Sequence, residues 1–361
     1  MKIIRLNLKE YSHNIYIGYN IIKKMPKYLE NLNIGNFSII ITNRKIYSLH
    51  RNSIKTIFGN IPYKIIFVPD GEEAKSKEWA FKIIGDILET DKLKRKLFIS
   101  CIGGGVVGDI GGFIASIYKR GIPYIQIPTT FLSQIDAGIG GKTAINFNGV
   151  KNIIGTFYQP KAIFIDQIFL NTLPLKEIKQ GIAEVIKYAV ISNRNLFFYL
   201  KKNYKKILSL NISCIRKVIY ECVNIKAKIV EKDEKEKIGL RTILNFGHTI
   251  AHALEGSLKF KTISHGDAVS LGMIASSYLS YYLGICSKSE VDNILDIIKK
   301  FSLPTKLSFS YNKVLSSLIF DKKFIHGKIR MVILKRIGKV EVKEGISDIL
   351  IRKSLQHIVN L

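Results

Sequence analysis

Apolar and polar positions follow two different rhythms along this chain. Up to about residue 170, short apolar segments suited to β-strands alternate with stretches of helical spacing, the mark of βαβ units and a parallel sheet. Phe37–Thr42, Lys64–Val68, Leu97–Ile102 and Tyr124–Ile127 read as strands. Between two of them, Trp79, Ile83, Ile84, Ile87 and Leu88 recur at helical spacing behind Ser76, whose hydroxyl suits an N-cap, so a helix is expected over Ser76–Glu89. From about Pro174 onward the period is mainly helical, clearest over Ile182–Val190, Leu196–Lys202, Ile215–Lys232, Thr249–Glu255 and Gly266–Leu283. The expectation is an α/β domain over residues 1–172, followed by a mainly α-helical domain over residues 173–361. Only the change of period marks the boundary, since neither a repeat nor a low-complexity linker does.

Composition adjusts this picture in a few respects. At 361 residues and 47% hydrophobic content the chain can bury a large core, in two domains more readily than one. The net charge of +28 raises the question of nucleic acid, but the lysines are spread along the chain and no nucleic-acid module is recognisable, so no such partner is expected. Cys101, Cys214, Cys222 and Cys286 form no CxxC pair, which argues against disulfides and a cysteine-ligated zinc. Met1–Arg5 leads into Asn7, Lys9 and Glu10 with no apolar segment, and runs such as Ser38–Thr42 fall far short of the roughly 20 residues that span a bilayer. A cytoplasmic protein without membrane association is expected.

The candidate chemistry lies in a few dense segments. "GGGVVGDIGGFIAS", Gly103–Ser116, follows an apolar strand. Glycines let backbone amides approach a ligand, and the following helix N-terminus adds positive dipole, as in a diphosphate cradle; a tight strand-to-helix turn is the plainer reading. "PDGEEAKS", Pro69–Ser76, offers carboxylates and a lysine at a strand's end, where open α/β sheets bind ligands, or else an acidic helix start. In "IPTTFLSQIDAGIGGKTAIN", Ile127–Asn146, the charged Asp136 and Lys142 stand among glycines and apolar residues and need partners. His248 and His252 stand four apart on one helix face, "SHGDAV" adds His265, and "GIAEVIKYA" adds Glu184 beside Lys187. Two or three histidines with one glutamate suit a zinc-like ion with an open, catalytic position, although any one of these histidines alone would more often be an ordinary helix residue.

Together with "YKRGIPYIQIPTT", "KNIIGTFYQP", "GLRTILNFGHTIAHALE" and "DKKFIHGKIR", these segments resemble the dehydroquinate synthases, a family of sugar-phosphate cyclases, in order and over residues 69–330. The resemblance implies an α/β, Rossmann-like NAD-binding domain. It also implies a mainly α-helical domain for a divalent metal, zinc or cobalt, with 3-deoxy-arabino-heptulosonate 7-phosphate bound in the cleft between the two. It places metal ligation on Glu184, His248 and His265, and makes His252 a substrate or proton-relay residue. NAD contacts fall on Asn43, on Asp70, Gly71, Glu72, Glu73, Ala74 and Lys75, and on Gly105, Val106, Val107, Gly108 and Asp109. They continue on Thr129, Thr130, Lys142 and Lys151 and on the turn of Phe169, Leu170, Asn171 and Thr172. Substrate contacts fall on Asp136, Lys142, Asn152, Lys187, Lys226, Arg241, Asn245, His252 and one of Lys322 and Lys323. Arg120 matches an arginine that reaches the substrate phosphate across a dimer interface, which implies a homodimer.

Two departures from the family pattern stand out. The segment from Lys226 to Arg241 is one residue longer, so Lys228 competes with Lys226, and Ala137 and Gly138 replace small hydroxyl residues. The last thirty residues match no motif. The implied reaction yields 3-dehydroquinate and phosphate, in the shikimate pathway, by transient oxidation with NAD, phosphate elimination, re-reduction and intramolecular aldol closure. Lys226 and Arg241 suit a substrate carboxylate, which speaks against a cyclase whose substrate has none. An NAD- and metal-dependent alcohol dehydrogenase of similar architecture would have no use for the phosphate-side residues.

Overall fold

A computed structural model describes residues 1–92, 95–258, 263–324 and 329–360, the side chains of residues 319–324 excepted. The first part of the chain runs β1 (Lys2–Leu6), β2 (His13–Gly18), α1 (Met25–Leu32), β3 (Phe37–Asn43), α2 (Arg44–Phe58), β4 (Tyr63–Val68) and α3 (Lys77–Asp91). It continues with β5 (Leu97–Gly103), α4 (Gly105–Ile117), β6 (Tyr124–Pro128), β7 (Lys142–Phe147), β8 (Val150–Phe157) and β9 (Ala162–Asp166). Then come α5 (Leu175–Ser192), α6 (Arg194–Leu208), α7 (Ile212–Lys232), α8 (His248–Ser257), α9 (His265–Tyr282), α10 (Lys288–Lys300), α11 (Tyr311–Phe324), β10 (Arg330–Arg336), β11 (Lys339–Glu344) and α12 (Asp348–Leu355). These form two compact units, Met1–Pro174 with Ile215–Lys235, and Leu175–Cys214 with Glu236–Leu361.

The first unit is an α/β layer structure around a seven-stranded sheet of order β1-β2-β9-β6-β5-β3-β4. Only β1 runs antiparallel to its neighbour; β2, β9, β6, β5, β3 and β4 pair in parallel. Both faces are covered. Ile39, Ile41, Ile99 and Cys101 share one apolar cluster with Ile83 and Ile87 of α3 and Ile110 and Ile114 of α4. Ile40, Phe98, Ile102 and Ile125 share another with Ile54, Ile57 and Phe58 of α2. Helices on both faces are why β3 and β5 read as nearly continuous apolar runs rather than alternating ones, each broken by one buried serine, Ser38 and Ser100, whose hydroxyls bond each other at 2.8 Å; each buried apolar side chain contributes roughly 1.5–3 kcal/mol. Ser76 caps α3 as expected, accepting a hydrogen bond from the Trp79 amide at 3.3 Å. Because β4 and β5 flank β3 on opposite sides, the order in which strands are added to the sheet reverses between the parallel strands β3 and β5, the kind of switch point at whose carboxyl ends open sheets bind ligands. A separate antiparallel hairpin, β7–β8, follows.

Helix α7 belongs largely to this unit although it lies in the helical half of the sequence. Asn7 donates its amide to Glu231 at 2.7 Å, and Gln159 donates to Glu234 at 2.9 Å.

The second unit is mainly helical and organised on α9, buried from Ala268 to Ser277 and packed by α5, α8, α10, α12 and β10. Small residues allow that crowding. A Cβ on Gly272 would lie 2.0 Å from the Gly247 carbonyl, and a Cβ on Gly266 would lie 2.5 Å from the Gln180 Cα, so α9 touches α8 and α5 backbone to backbone. The final residues, which matched no motif, form the β10–β11 hairpin and α12. Ser280 on α9 accepts a hydrogen bond from the Leu334 amide at 2.8 Å and ties that hairpin to the centre.

Candidate active site

In the first unit the residues expected to hold a dinucleotide gather at the carboxyl edge of the sheet. Asn43 ends β3, caps α2 through a 2.7 Å bond from the Ile46 amide, and donates its own amide to Asp70 at 3.1 Å. The glycine run ends β5 and starts α4. Gly104 is the N-cap, and no side chain caps that end, which leaves first-turn amides to an external anion, the arrangement a pyrophosphate needs. Thr129 and Thr130 follow β6, and Phe169–Thr172 follow β9. Phe169 and Leu170 are buried, so they shape this edge by packing, while Asn171 and Thr172 are exposed. Thr172 Oγ1 lies 2.8 Å from His50 Nε2, and the His50 ring stands edge-on to Phe169 at 4.9 Å; His50 carried no motif that sequence reasoning could use.

Lys75 joins these segments. Its ammonium is almost wholly buried, donates to Asp109 at 2.6 Å and also bonds the Asn152 side-chain oxygen. Burial pushes the Asp109 carboxyl up, and Lys75 opposes that shift. Asn146 donates to Glu72 at 3.0 Å and accepts from the Asn152 amide at 2.9 Å. Four motifs separate in sequence are thereby locked together. Lys142 and Lys151 lie exposed on the hairpin strands.

Lys226 of α7 is buried and pairs with the carboxylate and the backbone carbonyl of Asp136, whereas Lys228 is exposed. That places Lys226, of the two candidates, beside another expected substrate residue. Ala137 and Gly138 occupy the turn after Asp136 without disturbing this pair.

In the second unit Glu184 of α5, His248 at the start of α8 and His265 at the start of α9 bring their ligand atoms within 4.8 Å of one another. Glu184 Oε1 lies 3.2 Å from Nε2 of both imidazoles. Tetrahedral ligands about 2.1 Å from an ion are separated by about 3.4 Å, so this donor set fits a zinc-like ion. The rings are also oriented for it. His248 Nδ1 donates to the Phe246 carbonyl at 3.3 Å and His265 Nδ1 to Glu255 at 3.1 Å, which leaves both Nε2 atoms directed at the centre. Glu255, at the end of the "HTIAHALE" segment, is a supporting carboxylate that no spacing in the sequence marks. Burial would lower His265, but the Glu184 and Glu255 carboxylates outweigh it and lift it to about 10, a proton that a bound metal would displace. Burial would likewise raise Glu184, yet Lys187, His248 and His265 hold it well below the usual carboxylate range.

Lys187 is buried and ion-paired to Glu184 one helical turn away. The metal grouping excludes His252, which is exposed with its ring edge-on to His248 at 5.6 Å. Arg241 is buried, with Glu236 at 3.3 Å, and Asn245 is exposed. Lys322 and Lys323 lie outside the described side chains. No described helix is long and apolar enough to cross a membrane.

Comparison with known proteins agrees with this geometry. Sequence models of the 3-dehydroquinate synthase N-terminal and C-terminal regions match residues 65–180 and 181–324. The 3-dehydroquinate synthase of Dictyoglomus thermophilum is 43% identical over 357 residues, covering 99% of this chain and 98% of that protein. Among solved structures, 2-epi-5-epi-valiolone synthase of Streptomyces hygroscopicus, with NAD+ and Zn2+ bound, superposes with a TM-score of 0.87 at 25% identity, covering 97% of each chain. A 2-deoxy-scyllo-inosose synthase complexed with carbaglucose-6-phosphate, NAD+ and Co2+ shares the fold, with a TM-score of 0.87 at 23% identity, covering 98% of this chain and 99% of that one. With both halves matched and a relative aligned from end to end, the chain belongs to the 3-dehydroquinate synthase family.

Proposed function

We propose that this chain converts 3-deoxy-arabino-heptulosonate 7-phosphate to 3-dehydroquinate and phosphate, the shikimate-pathway step of its family, with NAD and a divalent metal, zinc or cobalt. The observation that carries the reading is the Glu184–His248–His265 grouping, its carboxylate buried, in a chain of this family. When bound, the metal supplies Lewis acidity at an alcohol oxygen and NAD a reversible hydride acceptor. The protein's own groups supply the rest. The uncapped start of α4 and the Lys75–Asp109 pair hold the dinucleotide. Lys142, Asn152 and Arg120 bind the substrate phosphate, Lys226 and Arg241 its carboxylate, and Arg241 can do so bidentately. His252, exposed beside His248, exchanges a proton with substrate, and Asp136, Lys187 and Asn245 complete the contacts. The working form is a cytoplasmic homodimer in which Arg120 serves the partner's site.

The test follows phosphate, NADH and label together, with NAD and zinc present. One phosphate per dehydroquinate, no growing NADH absorbance and retention of deuterium at the oxidised carbon are expected. NADH accumulating in step with product would make the chain a dehydrogenase instead.

A further inference from the structure

Beyond the residues that match the family's motifs, one carboxylate is placed where only a constrained loop explains it. Asp91 ends α3. An acidic side chain there opposes the helix dipole, which favours cations at that end. Its carboxylate is nearly buried and receives two donors from one short turn, the Tyr118 hydroxyl at 2.7 Å and the Lys119 ammonium at 2.5 Å. Lys119 foremost holds this carboxyl below its ordinary range. The turn itself is strained. Lys119 and Arg120 have φ of 50° and 65° and Gly121 has φ of 122°, so two side-chain-bearing residues in succession occupy the left-handed region. A Cβ on Gly121 would stand 3.1 Å from the Tyr158 hydroxyl, which itself donates to the Ile122 carbonyl at 3.0 Å. The turn is therefore held from both sides, and Arg120 projects from it, exposed and with no ion pair or hydrogen bond to any described residue.

We infer that Asp91 is a positioning residue, which clamps Tyr118 and Lys119 so that the strained turn presents Arg120 as an unpaired cation to the substrate phosphate. Neutralising Lys119 within the chain leaves Arg120 as the cation on offer, and fixing the turn beforehand removes an ordering cost at the moment of binding. The inference rests on the reading of Arg120 as a phosphate-binding residue.

The experiment measures KM, kcat and NAD affinity in the holoenzyme with zinc, for Asp91→Ala, Arg120→Ala and the double variant. Asp91→Ala should raise KM for the heptulosonate phosphate about tenfold while kcat and NAD affinity stay near wild type, and the double variant should be no worse than Arg120→Ala alone. If Arg120→Ala leaves KM unchanged, the role of Arg120 is wrong and the clamp has no object. If Arg120→Ala raises KM but Asp91→Ala does not, or the two effects simply add, Asp91 does not act through Arg120 and the inference is overturned while the role of Arg120 stands. Should Asp91→Ala fail to fold, Asp91→Asn, which keeps an acceptor for Tyr118 without the charge facing Lys119, enters the same comparison.

Discussion

At the carboxyl edge of the sheet the candidate ligand groups include the backbone amides at the uncapped start of α4, positioned by glycines at the end of β5. In the helical unit they are side chains from α5, α8 and α9, held by one another's charges. The difference sets how each region fails. Backbone donors persist when a nearby side chain is changed, whereas removing one member of a buried charge cluster strands the others.

The sharpest test of that contrast is Glu184→Gln. It leaves Lys187 without its buried counter-charge and the imidazoles without an anionic co-ligand, so bound metal should be lost on dialysis and kcat/KM should fall roughly a thousandfold. NAD affinity should stay near wild type; stoichiometric metal and full activity in this variant would remove the assignment. Next in size is a stability effect confined to the first unit. Burial lowers His13 from 6.5 to about 4. The unfolded chain therefore binds the extra proton first, so this contribution is complete above pH 6.5 and is lost as pH falls toward 4, by up to about 3 kcal/mol. Urea titrations over that range should show the slope in wild type and a flatter profile in His13→Asn; equal slopes would mean that His13 is not the group responsible.

Lys75→Met probes a place where the sheet edge depends on side-chain charge as the helical centre does. NAD should bind about a hundredfold more weakly, on the order of 3 kcal/mol, with metal content unchanged, and loss of metal in this variant would break the separation of the two regions. The smallest expected effect on ligand binding is that of Gly272→Ala. Its Cβ would meet the Gly247 carbonyl at 2.0 Å, and relief must shift the start of α8 and His248 with it. Metal affinity should drop about tenfold with a clear loss of Tm, because the clash is with backbone, and an unchanged chelator titration would show that the helix contact yields without moving the ligand.

How much of this was legible beforehand depends on the range of the interaction. Strands β3, β4, β5 and β6 and helix α3 were visible because a buried parallel strand is a mostly apolar run and a capped helix shows its period and its serine within a few residues. The β10–β11 hairpin was not, since its short strands lie in a half of the chain dominated by helical spacing. Of the site, the glycine loop announced itself because a close backbone approach requires glycine at the position itself.

By itself, then, the sequence determined which segments are candidates for the chemistry: the Gly103–Ser116 loop, the Pro69–Ser76 turn, and a set of histidines with one glutamate suited to a divalent ion. Spacing placed His248 and His252 on one helix face and could not choose between them, because a period reports which face a side chain occupies and not what lies opposite. Only tertiary structure decided that Glu184 and His265 meet His248, that Glu255 backs His265, that Lys75 ties Asp109 to Asn152, and that α7 carries Lys226 back to Asp136. Each of these rests on helices packed backbone to backbone or on charges made complementary by burial, and those conditions arise only when distant parts of the chain are brought together.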